Sequence, residues 1–143
     1  KMKTVLLSIC GRQTYQDQEP DVIELTTEGT MQYSNSGWEI SYQETDLTGL
    51  AGVTTTFRIE PDRVSLTRTG KLHSQMVFQE GVNHQSLYQM EFGALMITVC
   101  ATRIFAQLDD NGGMIDLVYN IDIENSAVGT VDYHLDVRTI SES

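Results

Sequence analysis

Apolar and polar residues alternate with a period of two along most of the chain. The segment VIELTTEGTMQY places Ile23, Leu25 and Met31 on one face, and glutamate, threonine and glutamine side chains on the other. The same alternation recurs in GWEISYQET, VTTTFRIE, RVSLTRTG, LHSQMVFQE, SLYQMEF, MIDLVYNIDIE and TVDYHLDVRT. This period is typical of antiparallel strands with one buried face and one solvated face.

Turn-forming residues separate these segments, as in NSG at 35–37, EPD at 60–62 and DDNGG at 109–113. With residues 2–12 and 94–107 added, the pattern predicts about ten strands joined as consecutive hairpins. Closure into a barrel would leave no free sheet edge. We therefore predict an all-β fold: one domain over residues 1–143, an antiparallel up-and-down β-barrel of about 8–10 strands.

The strand at 94–107 departs from the pattern because both of its faces are apolar. One face carries Leu95, Ile97 and Val99, and the other carries Met96, Cys100 and Ile104. A β-bulge, a covering segment or a subunit contact would each explain this. The last explanation predicts a homodimer formed through residues 94–107.

The opening stretch MKTVLLSICG allows two interpretations, a bacterial lipoprotein signal or a first strand. A signal peptide needs an apolar core of about 7–15 residues. Here the uninterrupted apolar run is Val5 to Leu7, and Ile9 precedes Cys10 where a lipoprotein site needs a small residue. We therefore expect a strand and a cytoplasmic protein, in which Cys10 and Cys100 remain reduced.

The charge of the chain limits the classes of partner that we expect. The 20 acidic and 9 basic residues give a formal net charge of −11, and the cations are scattered singly. Nucleic acids and anionic membranes bind concentrated lysine and arginine, so we expect neither as a partner. The histidines at 73, 84 and 134 are isolated, and no nucleophile, phosphate-loop or dinucleotide motif is present. We expect no metal, no cofactor and no enzymatic activity.

Several motifs recur in a familiar order: GWEISYQETDLTG, RTG, MVFQEG, LYQMEFGALMITVCATRI and GGMIDLVYNI. They resemble the YwiB-like family of small bacterial β-barrels of the calycin type, a domain family of unknown function. The resemblance covers about residues 2–140 and implies a lipocalin-like barrel in a bacterial, cytoplasmic protein. It brings no catalytic residues.

Two charged residues occupy inward positions of otherwise apolar faces, Glu44 and Arg68. An unpaired buried charge costs several kcal/mol, so each needs a partner or water. In an up-and-down barrel both lie near the same mouth, about 9.6 Å apart. We therefore predict an interaction between them, with Tyr42, Tyr88 and Tyr119 also projecting inward.

Two functions remain open. In the first, Arg68 and the tyrosines grip a carboxylate or phosphate, and apolar residues that include Trp38 line a pocket for the rest of the ligand. The candidate ligand-binding residues are Trp38, Tyr42, Glu44, Arg68, Tyr88 and Tyr119. In the second, Glu44 and Arg68 form a structural pair in a barrel filled by its own side chains, and the protein acts through its surface or as a dimer. An internal cavity of about 300 Å³ or more would favour the first.

Overall fold

The structure, a computed structural model, describes residues 1–15, 18–90 and 92–140 and is built from ten strands and one short 3-10 helix. The strands are β1 (Lys3–Thr14), β2 (Asp21–Ser34), β3 (Gly37–Gln43), β4 (Val53–Ile59), β5 (Val64–Gly70), β6 (Ser74–Phe78), β7 (Asn83–Met90), β8 (Gly93–Asp109), β9 (Gly112–Ile123) and β10 (Ser126–Thr139). The 3-10 helix covers Asp46–Thr48, between β3 and β4.

The ten strands form one antiparallel sheet in the order β6-β5-β4-β3-β2-β1-β10-β9-β8-β7. Each strand pairs with its neighbours in the chain except at β6 and β7, and β1 also pairs with β10. At the two ends of this order, β6 and β7 meet through a bridge between His73 and Gln89 and through the turn between Gln79 and Val82. This nearly closed wall confirms the predicted up-and-down barrel.

The inward faces follow the alternation of the sequence. Tyr42, Leu66, Phe78 and Tyr119 are all buried, as a single consistent register requires. Phe57 and Phe78 are fully buried and fill the middle of the barrel, together with aliphatic side chains from β1, β9 and β10. The barrel is therefore packed at its middle.

The opening segment forms β1, which confirms the strand interpretation. Val5, Leu7 and Ile9 point into the core. Cys10 points to the outer face, where it lies opposite Glu24 on β2 and His134 on β10. Cys10 and Cys100 are both free thiols.

A β-bulge explains part of the apolar pattern of β8. The register against β9 shifts between Ala101 and Arg103, so Val99 points inward before the bulge and Ile104 points inward after it. The Glu80 carboxylate accepts a hydrogen bond from the Ile104 N–H at 2.7 Å. The irregularity thus turns Ile104 toward the core, whereas Met96 and Cys100 lie before the bulge and stay on the outer face.

The alternation fails at one aromatic residue. In SLYQMEF it places Phe92 on the same face as Tyr88, but β7 ends at Met90 and Phe92 lies in the turn before β8. Its side chain is 96% exposed. The alternation between faces ends where the strand ends, and the sequence pattern alone does not show that β7 ends before Phe92.

Candidate functional site

A cavity of about 440 Å³ opens at the end of the barrel where β1, β3, β5, β7 and β9 finish. We call this cavity the cup. Its apolar lining is Ile9, Ile23, Leu25, Leu50, Met76, Ile97, Ile121 and Val131, and its polar lining includes Tyr42, Glu44, Thr48, Arg68, Tyr88, Tyr119 and Tyr133. Its size lies within the range of small-molecule sites, about 300–1,000 Å³.

Strand register brings the polar side chains together. Tyr42 on β3 lies opposite Thr55 on β4, Thr55 lies opposite Arg68 on β5, and Arg68 lies opposite Ser74 on β6. These four residues form one row across four strands, all facing inward. Directly opposite side chains in a sheet have Cβ atoms about 4.5–5.5 Å apart, so the row forms a continuous polar wall.

Glu44 ends this wall and is 6% exposed. One carboxylate oxygen accepts a hydrogen bond from the Thr55 hydroxyl at 2.5 Å, and the other accepts one from the Thr48 hydroxyl at 2.9 Å. Thr48 belongs to the 3-10 helix, whereas Thr55 belongs to the barrel wall. Glu44 therefore fastens the β3–β4 connection to the wall.

The predicted ion pair between Glu44 and Arg68 is wrong. Both residues line the cup, as expected from the topology, but no salt bridge within 4.0 Å joins them. Two threonine hydroxyls satisfy the carboxylate instead, because they lie nearer to it than a guanidinium two strands away.

Arg68 is consequently short of partners. Within the described part of the chain no carboxylate forms a salt bridge with it, and its buried Nε has no hydrogen-bond partner. Among the described residues the Ser74 hydroxyl oxygen is also buried without a partner, and it lies directly opposite Arg68 on β6. Buried polar groups are rarely left without a partner, so two on adjacent strands single out this part of the wall.

The tyrosines rest on the packed middle of the barrel. The Tyr133 ring contacts Phe57 with centroids 5.4 Å apart, and the Tyr119 ring contacts Phe78 at 4.5 Å. The Tyr42 and Tyr133 hydroxyls form a hydrogen bond of 3.3 Å. The aromatic layer below thus holds the hydroxyl groups at the floor of the cup.

Burial keeps these hydroxyls protonated. Desolvation raises the pKa of Tyr42 and of Tyr119 to about 12, although the nearby charge of Arg68 opposes the shift. Burial likewise raises the pKa of Tyr133 well above its usual value. Near neutral pH the cup therefore presents neutral hydroxyl donors beside Arg68.

The structure brings five of the six predicted site residues together, and Trp38 is the exception. Tyr42, Glu44, Arg68, Tyr88 and Tyr119 line the cup. Trp38 starts β3 at the other end of the barrel, so the prediction that it shares their pocket is wrong. Parity placed Trp38 on the correct face but gave no information about its height along the strand.

At that opposite end Trp38 packs edge-on against Tyr33, with ring centroids 5.0 Å apart. Both residues line an open groove of about 690 Å³, bordered by the β4–β5 and β6–β7 turns. The groove and the cup are separate, because the Phe57 and Phe78 layer lies between them.

The sequence did not identify as site residues Thr48 and Tyr133, which line the cup, or Thr55, which donates a hydrogen bond to Glu44. Thr55 and Tyr133 occupy inward positions of strands with alternating apolar and polar residues. A search for polar residues at the inward positions of such strands would find them. Thr48 lies in an irregular connection, where no periodicity exists to place it.

In the described residues no group of three histidine, cysteine, aspartate or glutamate side chains could hold a metal ion. On the outer wall His134 contacts Asp116 through Nδ1 and Asp136 through Nε2. No described helix is long and apolar enough to cross a membrane.

Comparison with known proteins agrees with the fold. The curated relative found is an uncharacterized β-barrel protein, YwiB of Bacillus subtilis (strain 168), which is 27% identical over 125 residues, covering 87% of this chain and 83% of the relative. The crystal structure of the ywiB protein from Bacillus subtilis superposes with a TM-score of 0.80, at 22% identity over 94% of this chain and 92% of that chain. A family model described as a domain of unknown function, DUF1934, matches residues 7–135. The chain therefore belongs to the DUF1934 family.

Proposed function

We propose that the protein is a non-catalytic barrel that binds a small, partly apolar anion in the cup. The observation that carries this proposal is the state of Arg68, an interior arginine without a carboxylate partner among the described residues. Glu44 already has two hydroxyl donors, so the pairing capacity of Arg68 stays available to a ligand.

The shape of the cup supports binding of a ligand with an apolar part. Most of the surface that lines it is apolar, and its volume of about 440 Å³ exceeds the 300 Å³ or so at which small-molecule sites begin. Charged and hydroxyl groups that converge on one wall of an apolar cavity fix the orientation of a bound molecule.

The protonation of the tyrosines supports binding rather than catalysis. A general base or acid works best with a pKa near the operating pH. Burial raises the pKa of Tyr42 and of Tyr119 to about 12, so these groups donate hydrogen bonds near neutrality and do not exchange protons readily.

The test is native mass spectrometry of freshly purified protein, followed by identification of any small molecule that co-purifies. We expect a bound anion in the wild type and in the Arg63→Met control, which changes a cation at the opposite end. Arg68→Met should lose the bound mass while keeping the far-ultraviolet circular dichroism of the barrel. A ligand-free wild type that also binds no anionic amphiphile in titrations would contradict the proposal.

A second candidate is association through the outer surface of the β7–β8 hairpin. Leu87 and Met96 lie directly opposite each other, and both are exposed, with Phe92 at the tip of the hairpin. An apolar patch of this kind favours a homodimer. Sedimentation velocity should then give a dimer that Leu87→Gln combined with Met96→Gln converts to a monomer. A monomer of 16.0 kDa at high micromolar concentration would reject it.

We also propose that the protein works in the cytoplasm. The support is that Cys10 and Cys100 are both free in the fold, each partly exposed on the outer surface. Such thiols persist most readily in a reducing compartment. Fractionation of the native host with thiol labelling would test this, and recovery in an oxidising compartment would contradict it.

A further inference from the structure

The cup is polar at its floor and apolar at its rim. The Tyr42 and Tyr119 side chains at the floor are buried, whereas Ile23 at the rim is 47% exposed. The one arginine at the rim, Arg12, is exposed to solvent. An amphiphilic anion can enter with its charge toward Arg68 at the floor or toward Arg12 at the rim, and these two orientations are physically distinct.

Unused hydrogen-bonding capacity favours binding of the ligand's charged group at the floor of the cup. Arg68 Nε and the Ser74 hydroxyl oxygen are the buried side-chain polar atoms left without a partner in the described chain; Arg68 lines the cup, and Ser74 lies directly opposite it on β6. A headgroup there also reaches the hydroxyl layer of Tyr42 and Tyr133. A hydrogen bond to a charged group gains more in a partly desolvated site than at an exposed rim.

The charged side chains around the cup limit the number of negative charges that a ligand headgroup can carry. Glu44 is buried in the same wall and Asp21 lines the rim, so a second negative charge on the ligand would face two carboxylates with Arg68 as its one interior counter-charge. A carboxylate carries one charge and two coplanar oxygens that match the fork of a guanidinium. A phosphate monoester carries about −1.5 to −2 charges near neutral pH.

We propose that the ligand is an aliphatic monocarboxylate that binds with its carboxylate on Arg68 at the floor and its chain directed past Ile23 to the rim. This inference rests on the proposed function and specifies the ligand class and orientation of the same site.

The headgroup is tested by calorimetric titration with dodecanoate, dodecyl phosphate and dodecanol, which share one chain. We expect dodecanoate to bind about tenfold or more tightly than either of the others. Arg68→Met should weaken dodecanoate by about ten- to a hundredfold, and the matched rim variant Arg12→Met should change it by less than about threefold. Thermal unfolding of each variant shows whether it is folded.

The orientation is tested with dodecanoate that carries a nitroxide near its terminal carbon. Paramagnetic broadening of amide signals should be strongest around Ile23 and Leu50 at the rim, and weakest around Met76 at the floor. The reverse pattern overturns the orientation.

The outcomes separate this inference from the function on which it rests. Binding of dodecyl phosphate or dodecanol at least as tightly as dodecanoate, or a larger loss in Arg12→Met than in Arg68→Met, overturns the inference and leaves a ligand-binding cup. Failure of all three molecules to bind folded wild-type protein overturns the inference, and if native mass spectrometry also finds no bound mass, the proposed function fails with it.

Discussion

Arg58 and Arg68 lie on neighbouring strands, ten positions apart, and the barrel treats them in opposite ways. Arg58 on β4 donates from Nη2 to the carbonyl oxygens of Ser34 and Asn35, each at 2.9 Å, and pairs with Glu39 at 3.3 Å. It points outward near the β2–β3 turn. Arg68 on β5 points inward, and its Nε has no partner among the described residues.

The difference shows which of the two arginines stabilises the fold. A guanidinium that closes a turn with two carbonyl bonds and a carboxylate contributes to the fold, because its removal would leave those acceptors without donors. An interior guanidinium with spare capacity carries a desolvation cost that its surroundings do not offset. We therefore expect Arg68 to contribute less to the stability of the ligand-free protein than Arg58 does.

The largest expected effect concerns the layer that separates the two ends. Phe78 is fully buried and supports the Tyr119 ring at the floor of the cup. Phe78→Ala removes that packing and leaves a cavity, so we expect the free energy of unfolding to fall by about 3–5 kcal/mol in urea titrations. The Phe92→Ala control changes an exposed ring and should shift it by less than about 0.5 kcal/mol. A small loss for Phe78→Ala would mean that the middle of the barrel is not packed.

The second prediction follows from the buried hydroxyls. Their protonated form is favoured in the folded state, and burial raises the pKa of Tyr42 and of Tyr119 to about 12. Between pH 10 and 12 the folded chain retains protons that the unfolded chain releases, so its stability falls as the pH rises. We expect a loss of about 2–5 kcal/mol over this interval, reduced in Tyr42→Phe combined with Tyr119→Phe. An unchanged slope in the double variant would place the titration elsewhere.

The third prediction compares the two arginines directly. Arg58→Met should lower the free energy of unfolding by about 1.5–3 kcal/mol, because it leaves the Ser34 and Asn35 carbonyls without their donor. Arg68→Met should change it by less than about 1 kcal/mol in ligand-free protein, or raise it, since an unpaired interior charge is removed. Chemical unfolding of both variants under one condition gives the comparison.

A double-mutant cycle of Glu44→Gln with Arg68→Met extends this prediction. Because the two side chains form no salt bridge, we expect a coupling energy below about 0.5 kcal/mol. A coupling of several kcal/mol, or a loss for Arg68→Met as large as that for Arg58→Met, would return Arg68 to a structural role and remove the contrast.

The sequence predicted the barrel because alternation reports which way a side chain points, and antiparallel strands repeat that report many times. It placed Glu44 and Arg68 at one mouth, since the direction of successive strands in an up-and-down barrel is fixed by their order. The sequence predicted the position of a residue along the barrel axis only for charged residues near a strand end. Trp38 shares the inward face but starts its strand, so it lies at the opposite end.

The partner of Glu44 could not be predicted for a different reason. Its hydrogen bonds come from Thr55, which alternation places correctly, and from Thr48, which lies in an irregular connection whose path depends on local turn geometry. Periodicity is silent in such connections. Buried carboxylates usually pair with cations, so the sequence predicted Arg68 as the partner of Glu44. In the structure two threonine hydroxyls bind the Glu44 carboxylate instead.

The smallest expected effect concerns His134, a cation on the outer wall that resembles Arg58 in being held by acceptors. The Asp116 carboxylate raises the pKa of His134 above 6.5; burial opposes this shift, and Asp136 adds to it. The folded chain thus binds this proton more tightly than the unfolded chain. The resulting stability is complete below about pH 6.5 and is lost as the pH rises through the folded-state pKa. We expect a decline of less than about 1 kcal/mol, because the site is partly exposed. Urea unfolding from pH 5.5 to 8.5 should show this decline in wild type and not in His134→Gln, while Arg68→Met should retain it. A decline that persists in His134→Gln would show that the outer pair contributes no proton-linked stability.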